Sequence, residues 1–201
     1  MTLQEGLKMT GVGKITIPDC SRSDLPQLFV ELGFKVGAEV GVLTGNFTEE
    51  FCKAGLKMSA IDPWLMFYDY QHPRGQKRLD QQYEQTKKTL EPYGANIIRK
   101  ISMDAVEEFP LNSLDFVYVD GNHHFRYVAE DIVEWTRRVR PGGIVCGHDF
   151  FYSTKKGDNA QQVRWVVEAY VAAHQIPTYY VLGKQKRKDK WPSWMFFKPN
   201  E

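Results

Sequence analysis

Four side chains able to move protons or hold a cation fall in two short stretches. Asp120 and His123 lie in Val119-Asp120-Gly121-Asn122-His123-His124-Phe125, and His148 and Asp149 close Gly147-His148-Asp149. Imidazole titrates near neutrality, so His123 or His148 could act as a general base with a carboxylate beside it. Three further places suit a nucleotide-like ligand. In Glu39-Val40-Gly41-Val42-Leu43-Thr44-Gly45, Gly41 and Gly45 permit unusual φ and close backbone approach, with Glu39 leading the turn and a helix start offering free N–H groups behind it. Asp62, before Pro63, can accept both hydroxyls of a ribose, and Trp64 can lie against a purine face or serve as a core residue. In Ser102-Met103-Asp104-Ala105, Asp104 can receive an adenine amino group or cap a helix Ala105 to Phe109, and Met103 can touch the ring.

These residues need a scaffold that brings them to one edge. From about residue 22 onward, strand-like and helix-like runs alternate, the pattern of an α/β sheet with crossover helices. Ser23 or Asp24 can cap a helix through Leu32 that Gly33 ends, and Val36 to Val42 reads as a strand. Thr44 or Asn46 can cap the next helix, which carries Phe47, Phe51 and Cys52. Strands follow at Lys57 to Ile61, Ala95 to Ile101, Leu114 to Val119 and around Ile144 to Cys146, with a polar helix from Gln76 to Leu90. The helix Arg126 to Val139 should turn Val128, Ile132, Val133 and Trp135 inward and end at Pro141-Gly142-Gly143. After a helix from Gln161 to His174, Thr178 to Leu182 and Trp194 to Phe197 have only a loop between them, which predicts an antiparallel pair. Residues 1–21 read as an N-terminal arm or lid, and 22–201 as one domain. In a doubly wound sheet, ligands bind beyond the carboxyl ends of the strands, where all four polar turns fall.

Composition excludes several classes. The 201 residues are 42% hydrophobic and 25% charged, which suits a folded, water-soluble chain. With 26 basic against 25 acidic residues there is no global electrostatic case for nucleic acid or an anionic membrane. The basic run Lys184 to Lys190 reads as a solvated hairpin tip. Cys20, Cys52 and Cys146 have neither metal spacing nor an even count, which points to a reducing compartment; with no apolar leader or span, the expected location is cytoplasmic.

The stretch from Asp120 to Asp149 carries the most specific signal. Asp120-Gly121, His123, Phe125, Asp131, Pro141-Gly142-Gly143 and Gly147-His148-Asp149 resemble a family of class I S-adenosylmethionine-dependent methyltransferases. The glycine-rich turn from Glu39 to Gly45 and Asp62 fall into the same register. The resemblance implies a Rossmann-like α/β sheet of seven strands in the order 3-2-1-4-5-7-6, mostly parallel with an antiparallel C-terminal pair. It implies S-adenosylmethionine held by Glu39, Gly41, Gly45, Asp62, Trp64, Met103, Asp104 and Asp120, and catalysis by Asp120, His123, His148 and Asp149. In related metal-assisted O-methyltransferases, acids at these two strand ends bind magnesium. Here that places Mg²⁺ or Mn²⁺ on Asp120, His148 and Asp149, although Phe150 stands where an Asn ligand is expected and imidazole suits magnesium poorly. A metal-free imidazole base is the other route. The acceptor implied is a small molecule with a sugar, phenolic or other hydroxyl, bound by Trp64 to Arg74, the N-terminal arm and Phe151 to Asn159, whose aromatics include Phe67, Tyr68, Tyr70, His72, Phe151 and Tyr152. A homodimer is compatible with the sequence. A nicotinamide-dependent oxidoreductase shares the strand-turn-helix and the ribose acid, but Val42 and Leu43 occupy the span where its fingerprint needs glycine. A cofactor-binding protein without catalysis is the non-enzymatic rival.

Overall fold

The structure is a computed structural model that describes residues 1–66, 75–153, 161–183 and 190–200. The expected aromatic lid at Phe67, Tyr68, Tyr70 and His72, the basic run from Lys184 through residue 189 and the acceptor segment 154–159 lie outside the described residues. Strands β1 (Gly13–Ile17), β2 (Val36–Val40), β3 (Lys57–Ile61), β4 (Asn96–Ile98), β5 (Leu114–Val119), β6 (Val139–Gly147), β7 (Thr178–Leu182) and β8 (Ser193–Phe197) form one sheet in the order β1-β7-β8-β6-β5-β2-β3-β4. Only β8 runs antiparallel to its neighbours, β6 and β7. Helices α1 (Leu3–Gly6), α2 (Leu25–Glu31), α3 (Asn46–Lys53), α4 (Gly75–Leu90), α5 (Ser102–Ala105), α6 (Phe125–Arg138) and α7 (Val163–Ala173) complete the described elements.

The central strands are apolar without interruption because both faces are covered. Along β5, Phe116 and Tyr118 join one core with Leu28, Phe29 and Phe51 from α2 and α3, whereas Val117 and Val119 join the other with Val128, Ile132 and Trp135 of α6 and Val167 of α7. This period-two alternation makes the sheet doubly wound. Strand β2 pairs with β3 on one side and β5 on the other, so the strand order reverses between β2 and β5. That reversal opens a crevice at their carboxyl ends.

Seven strands take the expected order, and an eighth is added. β1 pairs in parallel with β7, Gly13 to Ile17 against Thr178 to Leu182, and buries Ile15 and Ile17. Its alternating Lys-Ile-Thr-Ile is a strand pattern, masked in sequence by the flanking Gly11, Gly13 and Pro18. Part of the expected arm is thus sheet.

Smaller corrections share a cause, backbone geometry overriding local signals. Pro141-Gly142-Gly143 does not end α6: the chain passes from Arg138 straight into β6, and the three residues lie inside that strand, beside a register shift against β5. Gly143 is required there because a Cβ would lie 2.4 Å from the Asp115 carbonyl oxygen. Val133 is exposed, since the buried stripe of α6 runs Val128, Asp131, Ile132, Trp135. Neither Thr44 nor Asn46 caps α3; Gly45 does, at φ +78°, without a side-chain bond. The strand expected over 95–101 is only Asn96–Ile98.

Gly37 of β2 faces the Phe116 ring, and an added Cβ would fall 2.2 Å from it. That ring is wholly buried, 4.3 Å from the Phe29 ring centroid, and has nowhere to move. Gly37→Ala is expected to cost about 2 kcal/mol, read as a lower urea midpoint with unchanged slope; a midpoint equal to wild type would contradict this packing.

Candidate active site

The turn after β2 takes positive φ at Gly41 (+90°), Leu43 (+54°) and Gly45 (+78°). At Gly41 the reason is contact: a Cβ there would lie 2.2 Å from the carbonyl oxygen of Asp120, at the end of β5. Leu43 sits in a conformation that costs energy for a branched side chain, so its surroundings must hold it there. Its N–H donates to Asp62 Oδ2 at 3.0 Å, and its carbonyl accepts from the Trp64 indole at 2.8 Å and from the Thr86 hydroxyl at 3.1 Å. Asp62 Oδ1 accepts the Trp64 N–H at 2.8 Å. Asp62 is therefore locked in orientation and is half-buried. Burial pushes its carboxyl up, against those backbone hydrogen bonds.

Trp64 takes the core alternative. It is wholly buried with Val42, Leu79 and Leu90 and lies 4.9 Å from the Tyr83 ring, with no face open to a ligand in this conformation. Glu39 is likewise buried beneath the turn and accepts a hydrogen bond from Thr48 of α3, tying the strand end to the helix. After β4, Ser102 and Met103 are half-buried and Asp104 is exposed. Asp104 caps nothing: it lies within α5, whose N-cap position is Ile101. Ser102 instead does the anchoring, accepting the Trp135 indole N–H at 2.8 Å and bonding to the buried carboxyl of Asp131, which burial raises to about 7.

The ends of β5 and β6 bring Asp120, His123 and Asp149 together, with one ligand atom from each within 4.8 Å of the others. His123 Nε2 lies 2.9 Å from Asp149 Oδ2 and 3.6 Å from Asp120 Oδ1. It is buried, and neither contact has the geometry of a hydrogen bond. His148 stands outside this trio, with Nδ1 3.2 Å from the other Asp149 oxygen, Oδ1. The expected ligand set of Asp120, His148 and Asp149 thus differs from the observed trio at its imidazole. His123 enters from the turn after Asp120, which the Gln162 N–H holds through the His123 carbonyl at 2.8 Å, whereas His148 is fixed by its own backbone, its N–H to the Val119 carbonyl at 3.2 Å and its carbonyl to the Trp194 indole at 3.1 Å. Asp149, at φ +56°, carries the same kind of backbone strain as Leu43. Burial opposes charge on both partners, but the two carboxylates lift His123 to about 9, and the two imidazoles hold Asp149 well below the usual carboxylate range.

Two residues the sequence did not single out complete the site. Arg22, in a 3₁₀ turn at Arg22–Asp24, pairs with Asp120 Oδ2 at 3.2 Å. Gln161 places its side-chain nitrogen 3.3 Å from His123 Nδ1. No local motif marks either one, since each is defined only by a contact across the fold.

The profile of the methyltransferase-domain family matches residues 38–150. The chain belongs to that family. The matched span opens in β2 and closes just beyond Asp149, so it takes in all four strand-end turns. No curated protein matches this methyltransferase in sequence. Solved structures share its fold. They include an O-methyltransferase from Bacillus cereus in complex with S-adenosylhomocysteine (14% identity, 88% of this chain and 80% of that one covered, TM-score 0.67). The O-methyltransferase TomG of tomaymycin synthesis from Streptomyces achromogenes, in complex with S-adenosylmethionine, is similar (14%, 89% and 79%, 0.66). So is a Burkholderia thailandensis 1,6-didemethyltoxoflavin N1-methyltransferase with bound S-adenosylhomocysteine (14%, 89% and 77%, 0.59). Among the described residues, no helix of the methyltransferase is long and apolar enough to cross a membrane.

Glu39 makes the site pH-sensitive. Burial raises its carboxyl from an ordinary 4.5 to about 8, although the Thr48 hydrogen bond opposes the shift. Between those values the unfolded chain releases a proton that the folded chain retains, so stability falls as pH rises through this window. Asp131 acts in the same sense. Glu39→Gln keeps a Thr48 acceptor and removes the ionisation. Its urea midpoint is expected to decline less than that of wild type between pH 5 and 8; parallel declines would show that Glu39 is ionised in the folded protein.

Proposed function

We propose that this methyltransferase transfers the methyl group of S-adenosylmethionine to a hydroxyl of a small molecule, with a divalent cation held by Asp120, His123 and Asp149. The observation that carries the proposal is the buried Nε2 of His123 facing two carboxylates, 2.9 Å from Asp149 Oδ2 and 3.6 Å from Asp120 Oδ1. Two anionic oxygens and one imidazole nitrogen balance a divalent charge, and the mixed oxygen and nitrogen set suits Mn²⁺ better than Mg²⁺. Such a cation would supply Lewis acidity that lets an acceptor hydroxyl lose its proton near neutral pH.

S-adenosylmethionine, when bound, supplies an electrophilic methyl on a sulfonium for in-line displacement. The chain's part is to place it. Asp62 stands oriented by Leu43 and Trp64 at the end of β3, where a ribose partner is required. Ser102, Met103 and Asp104 follow β4, the strand beside β3, where an adenine ring would lie. Glu39 and Trp64 support the turn from beneath instead of touching the ligand. The neighbours from Bacillus and Streptomyces, solved with S-adenosylhomocysteine and S-adenosylmethionine, support this assignment. The acceptor would enter on the β6 side, past the half-buried Phe151 stacked 3.9 Å from Trp191.

A metal-free mechanism would use His123 as base. Held between two carboxylates, its imidazole keeps a proton up to about 9, the wrong state for a base at neutral pH. A cation must displace that proton, so Mn²⁺ affinity should rise with pH by about tenfold per unit between 7 and 9. Calorimetry at several pH values checks this; a flat profile would remove His123 from the ligand set.

Asp149→Asn should abolish Mn²⁺ binding and cut methyl transfer at least a hundredfold while S-adenosylhomocysteine still binds. Calorimetry with both ligands, and a methyl-transfer assay over hydroxyl and amine acceptors, provide the test. Activity that survives chelation, or an amine-only acceptor range, would overturn the proposal.

A further inference from the structure

Each member of the Asp120–His123–Asp149 trio is held from outside by a different segment of the chain. Asp149 has His148 on Oδ1, opposite the oxygen that faces His123. Asp120 divides its oxygens in the same way, with Oδ2 on Arg22 at 3.2 Å and Oδ1 toward His123. The Arg22 guanidinium is itself seated 5.0 Å from the centre of the Phe47 ring of α3, and both members of the pair are partly buried. On the far side of the imidazole, Gln161 meets His123 Nδ1 at 3.3 Å. That contact is reinforced along the backbone: the Gln162 N–H donates to the His123 carbonyl at 2.8 Å, and the Phe125 N–H donates to Gln162 Oε1 at 2.7 Å. Arg22 and Gln161 both lie outside residues 38–150, the span the family profile matches.

We infer that Arg22 and Gln161 are positioning residues for the cation site, an inference that rests on the cation assignment above. Arg22 fixes the rotation of the Asp120 carboxylate so that Oδ1, and not Oδ2, faces the trio. Gln161 fixes the imidazole ring so that Nε2 points at the two carboxylates. A carboxamide is suited to this place because it can turn either its NH₂ or its carbonyl to Nδ1. With Nε2 bound to a cation, Nδ1 carries the ring proton and the carbonyl accepts it, the outer hydrogen bond that metal-bound imidazoles commonly make. The site is therefore assembled by four separate parts of the chain: the segment after β1, the ends of β5 and β6, and the entry to α7.

The test is Mn²⁺ titration of the full chain, followed by the electron paramagnetic resonance signal of free Mn²⁺, alongside thermal unfolding. Loss of an outer partner typically lowers metal affinity 10- to 100-fold, so Arg22→Ala and Gln161→Leu should each weaken binding by about tenfold. Arg22→Gln, which keeps a donor without the charge, should fall between Ala and wild type. Gln161→Glu, a pure acceptor for Nδ1–H, should bind at least as tightly as wild type. A merely structural role would lower the unfolding temperature without sorting affinities in this way, and would leave Glu as harmful as Leu at position 161. Tighter binding by Arg22→Ala would show that the guanidinium only repels the cation and would overturn its assignment. If wild type binds Mn²⁺, Asp149→Asn does not, and the Arg22 and Gln161 variants match wild type, the positioning roles fall and the cation site stands; if wild type binds none, both fall.

Discussion

The site depends on one close approach. Where the strand order reverses, the backbone leaving β2 at Gly41 runs against the carbonyl of Asp120 leaving β5, with no room for a side-chain carbon between them. Gly41 donates to the Ile61 carbonyl and Asp120 to that of Val40, so three strand ends are locked together at this point. The glycine-rich turn and the Asp120, His123 and Asp149 cluster are thereby neighbours by construction. On the proposed mechanism, a wider gap would separate the cofactor from the groups that prepare its acceptor, and orientation of reacting groups contributes heavily to such a transfer.

Around that contact, burial and pairing sort the acids into two roles. Glu39 and Asp131 are buried beside a single hydroxyl each, Thr48 and Ser102, and burial raises both toward neutrality. Through those hydroxyls Glu39 ties the end of β2 to α3, and Asp131 ties α6 to the start of α5. Asp149 is also buried, but two imidazoles keep it ionised, and Asp120 has a guanidinium at hand. Negative charge is thus concentrated where a cation could use it and suppressed where it could not.

The sheet was readable in the sequence because its central strands are apolar, alternate with helical runs and are closed by polar or glycine turns, which puts Gly41, Asp62, Asp120 and Asp149 at strand ends. Three kinds of information were not local. β1 was hidden because its pairing partner β7 is more than 160 residues away in sequence, and only docking against it gives Lys14 to Ile17 a reason to be extended. Which imidazole joins Asp120 and Asp149 was hidden because His123 and His148 are equivalent as residue types, and the fold of the turn after Asp120 decides between them. Arg22 and Gln161 were hidden because a single polar residue in a loop carries no periodicity. Trp64 shows the converse case, an aromatic at a ligand-facing sequence position that packing withdrew into the core.

Crystals grown with S-adenosylhomocysteine and Mn²⁺, with data collected at the manganese edge, test the central claim most directly. The account predicts one anomalous peak within bonding distance of Asp120, His123 Nε2 and Asp149, beside an S-adenosylhomocysteine whose ribose hydroxyls meet Asp62. A peak on His148 in place of His123, no peak at the ends of β5 and β6, or a nucleoside bound away from the Gly41 to Gly45 turn would contradict it.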